Sequence, residues 1–343
     1  MKKATHLFFR FMAVILIITC CISCGITSDD KNASSEFGGE SSPTNAVIRV
    51  AGMTGPTGIG LVSLMEKNEK GEIAQKYDFS LYASAQEIVP LLVKGELDIA
   101  AIPANLAAIQ FNKNDGLVQV IAINNLGVLS ILEKGNSITS VADLKGKVIY
   151  APASGKGAVP EYALNYILTQ NGLDPSKDVT VEWKTEVTEI IATLKKSDNG
   201  IALLPQPAAT TALSNVEGLR EAINVNDAWD ALGLDSKLVT GVIVVRTAFA
   251  EANPEAVTKF LEEYEQSAKF VNENIEEAAK LVSKYKIASE DIAINSIPKC
   301  NITFIKGDSM KNILGTYLKT LFDENPASIG GALPSDSFYY VEK

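Results

Sequence analysis

Histidine is nearly absent: the one in 343 residues is His6. It stands in an N-terminal stretch with the form of a targeting signal. Lys2, Lys3 and Arg10 give a positive start, Phe11 to Ile18 is wholly apolar, and Thr19 to Ile22 extends the run weakly. An apolar stretch of about a dozen residues is short of the roughly 20 that span a bilayer, and has the length of a signal-peptide core. Its removal leaves no imidazole. That excludes Ser-His-Asp and Cys-His catalysis, histidine metal ligation and histidine proton transfer near neutral pH. Cysteine is scarce too. Of the four, Cys20 and Cys21 leave with the signal, and Cys24 and Cys300 make no disulfide framework. Basic charge is in deficit, with 31 Lys and Arg against 41 Asp and Glu and a net charge of −10. No acid precedes Cys24, so the chain beyond the signal is more acidic still. Such a protein repels nucleic acid and anionic headgroups.

What is present begins at the end of the signal. Cys20-Cys21-Ile22-Ser23-Cys24-Gly25 resembles a bacterial lipoprotein signal, cleaved before Cys24, whose thiol then takes a lipid. Cys21 stands where such signals usually carry leucine, and a plain secretory signal cut nearby is the alternative. Either way the mature protein is expected outside the cytoplasm. For an acidic chain, attachment to the membrane would rest on the lipid rather than on a basic patch. Residues 1–23 are thus the signal peptide. Residues 24–45, rich in Ser, Gly, Asn, Asp and Glu, are a flexible tether.

From Val47 onward short apolar runs alternate with amphipathic stretches. Strands are expected at Val47–Ala51, Phe79–Ala83, Leu97–Ile102 and Val118–Ile123, with helices near 57–68, from Ser84, and near 104–112. Gly127 to Glu133 is a long strand leaving this unit. The alternation restarts with strands at Lys147–Ala151, Val179–Trp183 and Ile201–Leu204 and helices near 157–171, 186–196 and 207–215. Val239–Arg246 returns the chain. Asn253-Pro254 is an N-cap with a first-turn proline, and helices follow near 273–285, 289–296 and 308–322. This βαβα order predicts mostly parallel sheets covered on both faces. The hydrophobic fraction of 46% is enough for a sizeable core. The expected fold class is α/β, with two α/β lobes, a hinge near Ser130 and Thr240-Gly241, and a ligand cleft between them. Residues 46–129 plus 241–343 form one lobe and 130–240 the other.

Three stretches carry a resemblance to type II solute-binding proteins of ABC importers, in the nitrate, sulfonate and taurine-binding branch, which shares its fold with thiamine-pyrimidine-precursor proteins. Lys94-Gly95-Glu96-Leu97-Asp98-Ile99-Ala100 is similar to a first-lobe strand entry in that family. Asp143-Leu144-Lys145-Gly146-Lys147 resembles the signature that opens the second lobe. Asn253-Pro254-Glu255-Ala256-Val257 resembles the helix start after the return strand. The resemblance implies the type II periplasmic-binding-protein fold, a small-molecule solute captured by hinge closure, and ABC permease and ATPase subunits as partners. It implies a monomer that is not an enzyme and uses no cofactor or metal.

Ligands of open parallel sheets collect at the carboxyl ends of strands, so the strand-to-helix turns hold the candidate ligand contacts. Thr54, Thr57 and Gly58 lie in the first, glycine-rich turn; a tight turn with a Thr cap is the alternative. Ser84, three residues before Glu87, also has capping-box spacing. Pro103 and Asn105 follow the third strand, where a terminating proline and an Asn cap would account for the same residues. Ser154, Lys156 and Gly157 precede a helix and could hold an anionic group, although a solvated lysine in a glycine turn is the plainer reading. Gln206 lies between Pro205 and Pro207, which fix its backbone. No arginine stands in these turns, whereas arginine is the common bidentate partner of oxyanions. The solute is therefore either a sulfonate- or nitrate-like anion or an uncharged, vitamin-precursor-like molecule. A ligand-sensing surface lipoprotein without a transporter, and an enzyme reusing the fold, such as a thiamine-precursor synthase, are the competing classes. Trp183 and Trp229, the glutamates from Glu262 to Glu277 and Cys300 read as structural, the glutamates as solvated helix faces.

Overall fold

The first half of the chain builds a sheet by repeated strand–helix turns. In the computed structural model, which describes residues 47–342, β1 (Ile48–Met53) is followed by α1 (Pro56–Ile59) and α2 (Val62–Glu69). Next come β2 (Tyr77–Tyr82), α3 (Ala85–Lys94), β3 (Ile99–Pro103), α4 (Ala104–Lys113) and β4 (Val118–Asn125). The signal, Cys24 and the tether lie outside the described residues. The expected helix near 57–68 is broken in two. Ile59 to Met65 are all buried, and a Cβ at Gly60 would strike the Tyr264 hydroxyl, so the chain bends there to keep both short helices against the core. Ser84 and Glu87 form the expected capping box at the head of α3, and Gly95, in the left-handed region at φ 73°, ends it.

After β4 the chain crosses to a second sheet. Its elements are β5 (Leu129–Lys134), β6 (Val148–Pro152), α5 (Val159–Gln170), β7 (Thr180–Lys184), α6 (Val187–Lys196), β8 (Ile201–Pro205), α7 (Ala208–Asn215), β9 (Leu219–Asn224) and α8 (Val225–Asp230). It then returns through β10 (Gly241–Arg246) to α9 (Thr247–Ala252), α10 (Pro254–Glu273), α11 (Ile275–Lys284), α12 (Glu290–Ser296), β11 (Ile302–Ile305) and α13 (Gly307–Glu324). The strand orders are β11-β4-β10-β3-β1-β2 and β7-β6-β8-β5-β9. β1 pairs in parallel with β2 and β3, and β6 with β7 and β8. The two crossing strands run against their neighbours: β10 is antiparallel to β3 and β4, and β5 to β8 and β9. The expected α/β class with two lobes is the class observed.

Several local readings are corrected. Asn253 does not cap α10 with its side chain; Nδ2 turns back to donate to the Phe249 carbonyl at 3.2 Å, while Pro254 does open the helix. Glu263 is not solvated but buried, 7% exposed, and accepts a 2.5 Å hydrogen bond from the Tyr77 hydroxyl. β9, α8 and β11 have no counterpart in the sequence reading. Cys300 is buried and free, and burial pushes its thiol up to about 12. Trp229 is fully buried between Tyr166 of α5 and Tyr317 of α13, with ring centroids 4.8 and 5.7 Å away. That stack lies in an apolar core continuous from one sheet to the other.

Charge is fixed at the sheet ends remote from the strand-to-helix turns. Asp98, just before β3, accepts from the Arg49 backbone N–H at 3.0 Å, from its Nε at 2.9 Å and Nη2 at 2.6 Å, and from Arg246 Nη2 at 3.1 Å. Burial pushes the Asp98 carboxyl up, but these hydrogen bonds outweigh it and hold the group below its ordinary value. In the other sheet Glu133 of β5 accepts from Arg220 of β9 at 2.5 Å, and Arg220 also donates to the Gly135 and Ile138 carbonyls.

Candidate functional site

The parallel strands of both sheets end on one cavity of about 660 Å³. On the first lobe it is lined by Thr54–Thr57 after β1, Ala83–Gln86 after β2, and Pro103 and Leu106 after β3. On the second it is lined by Ser154, Gly155 and Ala158–Pro160 after β6, Thr185–Val187 after β7, and Pro205–Ala208 with Thr211 after β8. Val128, Leu129 and Thr240 supply the floor from the two crossings. These crossings lie side by side, with the Thr240 hydroxyl donating to the Leu126 carbonyl at 2.5 Å. The volume suits a small organic molecule, since such pockets run to about 300–1,000 Å³.

Of the candidate contacts, Thr54, Thr57, Ser84, Pro103, Ser154 and Gln206 meet at this cavity. Thr57 also closes its own turn, accepting the Met53 N–H at 3.4 Å, and Ser84 also caps α3, its N–H donating to Glu87 Oε1 at 3.0 Å. Gln206 is buried. Its Oε1 accepts from the Thr210 N–H at 3.3 Å and hydroxyl at 2.7 Å, and its Nε2 makes no hydrogen bond among the described residues. The Gln206–Pro207 peptide is cis.

Gly58, Asn105, Lys156 and Gly157 do not line the cavity. A Cβ at Gly58 would collide with the Met53 carbonyl, so glycine there serves the tight packing of α1 on β1. Asn105 is fully buried and joins the lobes: Nδ2 donates to the Gly157 carbonyl at 3.4 Å and the Ser328 carbonyl at 3.3 Å. The Gly157 N–H goes to Glu161 Oε2 at 2.6 Å, and the Lys156 side chain stands exposed in solvent.

The sequence reading missed two groups of lining residues. Thr185–Val187 follow β7 as the other turns follow their strands, and that periodic signal was available. Ile287, Ala288 and Ser289, between α11 and α12, and Ile292 of α12 reach the cavity because α12 packs against α7 of the other lobe. Nothing local marks them. Glu186 is the one charged side chain lining the cavity among the described residues, and no cluster there could hold a metal ion. No described helix is long and apolar enough to cross a membrane.

Residues 78–278, more than half of the chain, match the family described as NMT1/THI5 like. Among solved structures, an ABC transporter protein from Parabacteroides distasonis superposes with a TM-score of 0.72 at 21% identity, covering 87% of this chain and 99% of that one. The periplasmic aliphatic sulphonate binding protein of Escherichia coli gives 0.69 at 16% identity, with 87% and 92% covered. The alkanesulfonate-binding protein of Xanthomonas axonopodis pv. citri, bound to MOPS, gives 0.66 at 15% identity, with 85% and 97% covered. No curated protein matches the sequence. The likeness extends over both lobes, so the fold is that of the periplasmic binding proteins.

Proposed function

Since the chain belongs to the NMT1/THI5-like family, we propose that it is the solute-binding component of an ABC importer. In this reading it is tethered outside the cytoplasm by a lipid on Cys24 and works as a monomer. The observation that carries the reading is the convergence of the strand ends of both sheets on one cavity floored by the two crossings. A solute touching both walls favours the closed arrangement by its differential affinity for that arrangement. The closed form docks on a permease and its ATPase, and the solute leaves unaltered. The cavity wall fits binding better than turnover, because hydroxyls, the amides of Gln86 and Gln206 and the single carboxylate of Glu186 are its polar side chains.

Two measurements test this. Protein exposed to spent growth medium, freed of unbound solutes by gel filtration and then denatured is expected to release one small molecule identical to a compound in the medium. Release of a chemically altered product, or of nothing from any medium that supports growth, contradicts the reading. Cys24→Ala is expected to move the protein from the membrane pellet to the soluble extracytoplasmic fraction. Retention of that variant in the pellet removes the lipid anchor.

A further inference from the structure

We infer that the cleft selects an uncharged, largely apolar solute carrying hydrogen-bond acceptors, and excludes sulfonate- and nitrate-like anions. This inference rests on the reading of the cavity as the solute site and narrows it. Three observations converge.

First, no cation reaches the cavity. The three arginines of the described chain are held elsewhere: Arg49 and Arg246 on Asp98, and Arg220 on Glu133. Lys156, Lys184 and Lys286 neighbour lining residues in sequence, but none lines the wall: Lys156 and Lys286 are exposed, and Lys184 pairs with Glu182 at 3.2 Å and Glu189 at 3.6 Å. Glu186, the charged side chain that does line it, has no ion-pair partner among the described residues and repels an anion.

Second, acceptors of this chain already stand at the helix starts that meet the cavity. α1, α3, α4, α5, α6 and α7 all begin there, and a helix N-terminus carries partial positive charge. At α1 the Gly58 and Ile59 N–H groups go to the Gly55 carbonyl at 3.0 Å, and at α4 the Ala104 N–H goes to the Thr240 carbonyl at 3.3 Å. Glu87 closes the capping box of α3. Glu161 stands in the first turn of α5 and takes the Gly157 N–H. Glu186 and Glu189 place two carboxylates at the start of α6, without a side-chain capping hydrogen bond and with Glu189 also paired to Lys184. At α7, Gln206 Oε1 takes the Thr210 N–H, and Pro207 has no N–H to offer. An oxyanion entering here would lose its water and gain no charged partner, which is unfavourable.

Third, the rest of the wall suits apolar matter with acceptors. Leu106, Val128, Leu129, Val159, Ile287 and Ile292 supply apolar surface from both lobes and the floor. Gln206, Ser154 and Thr185 line the cavity, and Gln206 Nε2 and the two hydroxyls have no hydrogen-bond partner among the described residues. They offer donors to a carbonyl, ether or ring nitrogen.

The test uses matched probes on the whole mature chain: toluene-4-sulfonamide against toluene-4-sulfonate, and octan-2-one against octane-1-sulfonate, read by calorimetry and thermal shift. The neutral member of each pair is expected to bind at least about tenfold tighter, a difference of about 1.4 kcal/mol. Gln206→Leu is expected to weaken the neutral probes severalfold. Should that variant not fold, Thr185→Val replaces it with the same expectation. A sulfonate that binds as tightly as its neutral twin, or neutral probes that cause no shift at millimolar concentration, overturns the inference. A neutral probe that binds without drawing the lobes together keeps this solute class and removes the delivery role; a sulfonate that closes the lobes does the reverse.

Discussion

Glu263 faces the core from α10 with the Tyr77 hydroxyl 2.5 Å away. Burial raises its carboxyl pKa; the hydrogen bond from Tyr77 and the positive charge of Lys259 offset that only in part. The folded state therefore holds a proton on this group more strongly than the unfolded chain does. Stability from this site is present below the ordinary carboxylate value of 4.5 and is lost as pH rises through the higher folded value. Glu263→Gln keeps an acceptor for Tyr77 and removes the titration. Urea unfolding from pH 4 to pH 8 is expected to show the variant gaining stability relative to the parent as pH rises. A difference that stays flat or falls would mean that Glu263 is ionised at no cost in the folded protein. The misreading of this residue as solvated has a physical source. Glu262, Glu263 and Glu265 form a charged run, and only the approach of β2 against α10 distinguishes the middle one. Asn105 misled in the same way: its side chain goes to carbonyls 52 and 223 residues away, which no local pattern announces.

At the scale of elements, the strands and helices that alternate regularly were legible, because each buries a face at its own period. Those that were not legible lie where tertiary contact overrides the pattern. β9 alternates poorly, since Arg220 and Glu221 occupy it; both are fixed by partners on β5, Glu221 accepting from Ser130 at 2.5 Å. β11 is a four-residue edge strand with a register shift against β4. α8 has six residues and exists largely to seat Trp229, whose Nε1 donates to the Ser236 carbonyl at 3.1 Å. Since Trp229 packs between α5 of one lobe and α13, its removal opens a cavity in the core shared by both. Trp229→Ala is expected to cost about 3–5 kcal/mol in equilibrium unfolding. A loss under about 1 kcal/mol would mean that the aromatic stack carries no structural weight.

For the whole molecule, two sheets joined by adjacent crossings meet on a cavity whose lining comes from turns scattered between Met53 and Ile292. The general position of that cavity followed from strand order; the absence of a cationic side chain from its lining did not, because it depends on where three arginines are tied. Closing such a molecule from a 1:99 balance to 99:1 takes about 5.5 kcal/mol of preference for the closed form, so a solute that touches one lobe alone cannot drive it. The most direct measurement is small-angle scattering of the mature protein, with and without a saturating amount of the compound released from it. The account predicts a smaller radius of gyration in the loaded state and recovery of the larger value when the compound is removed. An unchanged radius at full occupancy, confirmed by calorimetry on the same sample, contradicts it.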